Sequence, residues 1–388
     1  DDISRARIDS MLESQVSAGR IAGASALIWE KNKEVYFNAF GYADREANVA
    51  MDRNTIVRIY SMTKPLTGTA LMTLYEKGAF ELDDPVEKYL PDFAGMKVFK
   101  NMAADGSPVL EPARRSITIR DLTRHTAGFA RVDHPYLGPL LRQAQPLHPE
   151  NTLAEMGRKL ATIPLMNHPG EAWIYGPSVD VQALLVERLS GQPFDVYLNE
   201  TVFVPLRMND TRYVVPAEDT GRIAALYQRE DQQLIRTPAD RDLYVNTKNW
   251  PLKPGGYGLT STIDDYMRFA RMLVNDGTLD GATILKPETI RLMATNQLAD
   301  SVTERMWLPS KGQVGFGIDF AVRIRPPASA IEKNGVVGEF FWDGAASTLF
   351  WVDPVNELTA VLFVQIFPFD NDLHKQFKDA VYGPVIGK

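Results

Sequence analysis

The strand-like segments of this chain lie at its two ends, and that constrains its fold more than any other feature. Residues 21–30 and 33–42, joined by the polar pair Lys31-Asn32, are rich in β-branched and aromatic residues, as are 314–324, 338–343, 347–352 and 358–367. Runs of this kind read as strands, and a sheet needs helices against it to bury its apolar face. Ile8, Met11, Leu12 and Val16 recur at helical spacing, which predicts a helix over 2–17, and residues 370–381 predict a closing one. The expected class is therefore α+β, with one antiparallel sheet built from both chain ends and flanked by the terminal helices. Residues 1–60 and 300–388 form that discontinuous sheet region, 61–299 form a mostly helical region, and a cleft is expected where they meet.

Within the middle region, helices are expected after Ser61 and over 118–125, 153–163, 179–189 and 261–274. Leu66, Ala70, Leu71, Leu74 and Tyr75 give the first of these an apolar face, and Gly78 is its expected stop. Pro65 falls in its first turn, where backbone donors lack partners anyway. Pro-rich stretches at 104–112, 135–149 and 204–216 read as loops.

Charge and composition exclude several function classes. The 388 residues carry a net charge of −7 and no Lys/Arg-rich block, which argues against a nucleic-acid surface. No apolar run reaches the ~18 residues of a membrane span. Cysteine is absent, which removes disulfides and thiolate metal sites. The first residue is Asp1 rather than Met, which reads as a removed leader or tag. No signal peptide is visible in these residues, and compartment and oligomeric state stay open. The five histidines form no His-Glu-x-x-His or comparable ligand spacing, so no metal and no cofactor are expected. His125 is expected to end a helix with its ring bonded to a carbonyl.

Chemistry concentrates in four segments. Ser61-Met62-Thr63-Lys64 is the chain's one Ser-x-x-Lys, placed where a helix begins. Residues three apart on a helix share a face, so the lysine amine can reach the serine hydroxyl and activate it as a nucleophile. The bland alternative is a serine N-cap. Tyr175-Gly176-Pro177 follows Gly170-Glu171-Ala172-Trp173, Gly255-Gly256-Tyr257-Gly258-Leu259-Thr260-Ser261 leads into a helix, and Trp342-Asp343-Gly344-Ala345 closes a strand. A Ser-His-Asp hydrolase would carry Gly-x-Ser-x-Gly, and the chain has none.

With His125-Thr126-Ala127-Gly128 between the first two, the order of these segments resembles the serine β-lactamase and penicillin-binding protein superfamily. It is most similar to the family VIII carboxylesterases, which share the class C β-lactamase fold. The resemblance runs from about residue 3 to the C-terminus. It implies a Ser61 nucleophile forming an acyl-enzyme, Lys64 and Tyr175 as coupled bases, and an oxyanion hole from the backbone N–H groups of Ser61 and Ala345. A basic Lys64 must be transiently neutral, a form favoured by burial near a helix N-terminus. Trp342, Asp343, Gly344, Tyr136 and Trp173 are the expected substrate contacts.

Two departures bear on specificity. Where penicillin-processing relatives place Lys-Thr-Gly, this chain has Trp342-Asp343-Gly344, with one anion and no cation. Pro177 stands where the tyrosine motif usually carries asparagine. Both point to neutral, fairly apolar esters, and hence to a carboxylesterase for small to medium acyl chains. A β-lactamase or D-Ala-D-Ala peptidase would need a cation near Trp342 in space, from Lys333 or a nearby arginine. An acyltransferase would use the same acyl-enzyme while excluding water, and a non-catalytic binding protein would fail to react with a fluorophosphonate.

Overall fold

The computed structural model describes residues 2–238, 246–328, 332 and 334–383. The strands of the main sheet are β1 (Gly23–Glu30), β2 (Lys33–Asp44), β3 (Val49–Ala50), β4 (Val314–Phe316), β5 (Ala321–Arg323), β6 (Phe340–Asp343), β7 (Leu349–Asp353) and β8 (Leu358–Phe363). Their order is β4-β5-β6-β7-β8-β1-β2-β3, every neighbour antiparallel. The chain ends meet in its middle, where β1 runs along β8 with Ser25 opposite Phe363 and Glu30 opposite Leu358.

The helices that matter for the site are α1 (Asp2–Ser17), α2 (Thr63–Glu76), α3 (Ile119–Thr123), α4 (Leu137–Ala144), α5 (Leu153–Ala161), α6 (Ser178–Ser190), α7 (Ile263–Val274) and α8 (Asn371–Tyr382). β8 is buried along its whole length, so both faces of the sheet are covered. Neighbouring residues of β7 show the two layers, because strand side chains alternate. Phe350 meets Tyr266 of α7 at 4.9 Å, and Trp351 meets Phe377 of α8 at 5.6 Å. Among the described residues no helix is long and apolar enough to cross a membrane.

α2 is buried on nearly every side from Thr63 to Met72 and packs on α6, which makes it the central helix of the second region. Gly78 stops it in the left-handed conformation, with φ 73°. Threonine caps start the neighbouring helices. Thr118 and Thr152 each form a capping box with the acid three residues on, and Thr262 caps α7.

Several elements differ from the sequence reading. The run 314–324 is a hairpin rather than one strand, because Asp319 adopts φ 59° and the Gly317 N–H turns back onto the Phe320 carbonyl. The run 358–367 breaks after Phe363, and Ile366–Phe367 joins a separate three-stranded sheet beside Tyr227–Glu230. Part of the expected loop 104–112 is the edge strand Pro108–Pro112, where proline is tolerated. The stretch 135–149 contains α4, with Pro139 in its first turn.

Candidate active site

Ser61 sits on a single 3-10 turn, Tyr60–Met62, that leads straight into α2. Tyr60 holds a left-handed backbone, φ 45°, an uncommon state for a bulky residue, and its ring packs edge-on against Phe367. Two buried contacts pin this turn. The Ile59 N–H donates to the Leu259 carbonyl at 3.1 Å, and the Tyr266 hydroxyl donates to the Met62 carbonyl at 2.7 Å. Met62 occupies the cap position of α2 without a side-chain bond, so the Ser61 hydroxyl is not spent on capping. It meets Lys64 instead, with Nζ 3.2 Å from Oγ.

Lys64 is 5% exposed. Its Nζ donates to the Gly256 carbonyl at 2.8 Å and lies 4.5 Å from the centroid of the Tyr175 ring. Burying an ammonium costs several kcal/mol unless partners replace its water. Here a carbonyl, a hydroxyl and a ring face do so, the last worth about 0.5–2 kcal/mol. All three direct partners are neutral.

The other segments converge by backbone pairing. Val57–Arg58 pairs antiparallel with Thr260–Ser261, and the Thr67 hydroxyl donates to the Gly255 carbonyl at 2.7 Å, which draws 255–261 beside α2. Tyr175 accepts a hydrogen bond from the Trp342 indole N–H at 3.2 Å, joining the second segment to β6. Beyond β6, Gly344 passes so near the serine turn that a Cβ there would lie 2.4 Å from the Ile59 carbonyl oxygen. Ala345 follows in an exposed turn, and its N–H has no partner among the described residues. A donor left open beside a serine turn is what an oxyanion requires.

Not every expected contact sits at this point. Tyr136 is 46% exposed and stacks on Phe99 at 5.4 Å, away from the cavity described below. Trp173 is fully buried and stacks behind the Tyr175 ring at 5.8 Å, while Trp342 is also buried and anchors the Tyr175 hydroxyl. Asp343 points to the opposite face of β6 from Trp342. There it forms an ion pair with Lys311, in a small cleft shared with Phe341, Leu349 and His374. An uncompensated anion at the site edge is thus not what the structure holds. Lys333 lies outside the described residues, and the cation near Trp342 is Lys311, 5.2 Å from its ring and already bound to Asp343.

His125 also departs from expectation. Neither ring nitrogen has a partner among the described residues, and the ring packs 4.8 Å from Tyr175 and edge-on to Phe316. Burial, and secondarily the charge of Lys64, hold its pKa well below the usual histidine range, so it is a neutral wall of the site.

A cavity of about 540 Å³ reaches Lys64 and Tyr175. Its walls are apolar at Val132, Leu141, Leu147, Leu160 and Pro177. One further wall residue, Asp180 in the first turn of α6, was not singled out by the sequence. Burial pushes its carboxyl up to about 6, against the pull of Lys64 and two backbone N–H groups. An acid five residues after Tyr175, inside the apolar run 179–186, was the available signal. Lys311 carries no local signal at all. Among the described residues no cluster of His, Asp and Glu is arranged to hold a metal ion.

The beta-lactamase family model matches residues 8–382. Protein Rv1367c of Mycobacterium tuberculosis is 36% identical over 358 residues, covering 90% of this chain and 87% of that protein. The chain belongs to the beta-lactamase family. Esterase EstB of Burkholderia gladioli is 28% identical over 97% of this chain and 95% of its own length. The structure of EstCE1, a hydrolase with promiscuous acyltransferase activity, matches with a TM-score of 0.82 at 26% identity, covering 98% of this chain and 99% of that one. Family membership accounts for the sheet built from both chain ends and for the order of the four segments along the chain.

Proposed function

We propose that this chain is a serine carboxylesterase that hydrolyses neutral esters of small to medium apolar acyl groups. The observation that carries the reading is the buried Lys64 amine 3.2 Å from the Ser61 hydroxyl, with neutral partners only, at the end of an apolar cavity. In acylation the Ser61 proton moves to Lys64, and Oγ forms a bond to the ester carbonyl carbon. The carbonyl electron pair shifts to oxygen, facing the N–H groups of Ser61 and Ala345. The tetrahedral species collapses as Tyr175 protonates the departing alcohol and takes back a proton from Lys64. Water then attacks the acyl carbon, giving a proton to Tyr175, and the Ser61–acyl bond breaks as Oγ regains a proton from Lys64, which frees the acid and restores both bases.

Two features support neutral substrates. Much of the cavity wall is apolar, its arginine, Arg131, is paired with Asp133, and Lys311 beside Trp342 is paired with Asp343. Both disfavour the penicillin-recognising alternative. The acyltransferase reading keeps support from EstCE1, a hydrolase with promiscuous acyltransferase activity. Replacing water by an alcohol acceptor in the second half-reaction is all that it requires.

The test is hydrolysis of p-nitrophenyl acetate, butyrate and octanoate beside nitrocefin, with Ser61→Ala as control. Ester turnover that vanishes in the control, with nitrocefin inert, is the expected result. Fast nitrocefin turnover would transfer the assignment to the penicillin-recognising class. Product partition between water and an added alcohol separates esterase from acyltransferase.

A further inference from the structure

We propose that Asp180 is a positioning residue for the Ser61–Lys64 pair, acting through Gly256, and that it balances the charge Lys64 acquires on taking the serine proton. The inference rests on the acyl-enzyme reading above and extends it to a third member.

The geometry is a short relay. Asp180 Oδ1 accepts from the Gly256 N–H at 2.9 Å, and the Gly256 carbonyl accepts from Lys64 Nζ at 2.8 Å. The carboxylate therefore fixes the residue whose carbonyl holds the amine against Ser61 Oγ. A Cβ at 256 would crowd both groups, standing 3.1 and 3.3 Å from the two Asp180 oxygens and 3.3 Å from Lys64 Nζ. With that side bare, acid and amine face each other across open space rather than in a direct ion pair. A nucleophile, a base and a group that orients the base form the general arrangement of activated-serine catalysis.

The electrostatics suit the step. When Oγ bonds to the acyl carbon, its proton passes to Lys64 and creates an ammonium in a buried site. A carboxylate on the far side of Gly256 favours that product.

The other groups facing this point keep their charge near neutral pH. Tyr213 and Tyr257, turned toward Asp180, are pushed up by burial and by its charge and stay protonated. Asp319 is fully buried and accepts from Gln182 at 2.9 Å, and desolvation raises its pKa well above the usual carboxylate range against the pull of that bond and of Lys64. His125 stays neutral. Asp180, near 6, is the group that titrates between these.

The experiment compares wild type with Asp180→Asn, which keeps the shape and an oxygen for the Gly256 N–H. The rate of labelling by a fluorophosphonate and kcat/KM for p-nitrophenyl butyrate are measured from pH 4.5 to 9, with thermal unfolding alongside. In the wild type, activity should fall as pH drops through about 6. The variant should lose at least tenfold in labelling rate, up to the roughly 10²–10⁴ that a general base supplies, and its acid limb near pH 6 should vanish. Gly256→Ala, which drives a methyl between acid and amine, should slow labelling as well. Wild-type labelling rate and an unchanged acid limb in Asp180→Asn would overturn the proposal. So would a rate loss matched by unfolding with the limb intact, since that describes a structural role. A wild-type chain that neither labels nor hydrolyses any ester would instead overturn the reading beneath it, and this inference with it.

Discussion

Two lysines of this chain hold their amines beside the same aromatic cluster, and their immediate partners differ in charge. Lys64 is buried, and the side chain of Lys311 is buried although the residue as a whole is half-buried. Lys64 lies over Tyr175, while Lys311 lies near Trp307, Trp342 and Phe369, and Trp342 links the two by donating to the Tyr175 hydroxyl. Lys311 is in direct ion contact with Asp343, whereas Lys64 touches a hydroxyl, a carbonyl and a ring. A lysine locked to a carboxylate serves as a strut. One held by neutral acceptors beside a serine hydroxyl is placed to act as a base. Burial alone therefore does not identify a catalytic lysine. On the proposed mechanism, the charge of the nearest partner is what separates the two.

The comparison breaks most visibly in activity. Ser61→Ala should abolish ester hydrolysis and fluorophosphonate labelling while leaving the far-ultraviolet spectrum and melting temperature nearly unchanged. Near-wild-type turnover in that variant would end the mechanism. Lys64→Met and Tyr175→Phe should each lower kcat by about 10²–10⁴. Their double variant should lose far less than the product of the single losses, since groups that act as a unit are not additive. Strict additivity would mean that Tyr175 serves a separate step from Lys64.

The sequence carried one side of this contrast and hid the other. Ser61 and Lys64 are three apart where a 3-10 turn runs straight into α2, so their meeting is written in local geometry. The Tyr175 and Gly255–Ser261 segments carried it as motifs whose order matches a family. Lys311 meets Asp343 only because the turn 308–311 folds over the edge that β6 exposes beyond its pairing with β5. No pattern within either segment encodes that contact. The same reason explains why Tyr136 and Asp343 lie outside the cavity at Lys64. Alternation along β6 was legible, but which face looks at Ser61 depended on where Gly344 crosses Ile59. Likewise the sheet from both chain ends was legible in composition, whereas the hairpin at 314–323 turns on a left-handed Asp319 that residue type alone does not announce.

Lys311 predicts a loss in stability rather than in rate. Lys311→Met leaves Asp343 buried without its partner, which should destabilise the fold by about 3–5 kcal/mol in denaturant unfolding. The kcat on small esters should stay within a few-fold. Adding Asp343→Leu should recover most of the lost stability, because removing both charges leaves nothing unpaired. A hundredfold fall in kcat with unfolding unchanged would put Lys311 in the chemistry and dissolve the contrast between the two lysines.

The smallest effect tests the acids that accompany these lysines. Asp343 is directly paired, whereas Asp180 is buried one residue away from Lys64 and its carboxyl is raised from 3.8 to about 6, chiefly by desolvation. Below about pH 4 both folded and unfolded chains hold that proton, and Asp180 has no effect on stability. Between 4 and 6 the unfolded chain ionises first, so stability falls as pH rises. Above 6 the loss is complete, at roughly 2–3 kcal/mol from the size of the shift. Asp180→Asn removes this titration. The variant should therefore melt higher than wild type at pH 8, with the advantage shrinking toward zero at pH 4, even though it is the slower enzyme. A buried acid retained against stability is explained if it supports the base. A melting difference that did not change with pH would mean that Asp180 ionises in the folded chain at the same pH as in the unfolded one, whereas a difference still growing well above pH 6 would mean that it stays neutral when folded and leaves Lys64 without a counter-charge on that side.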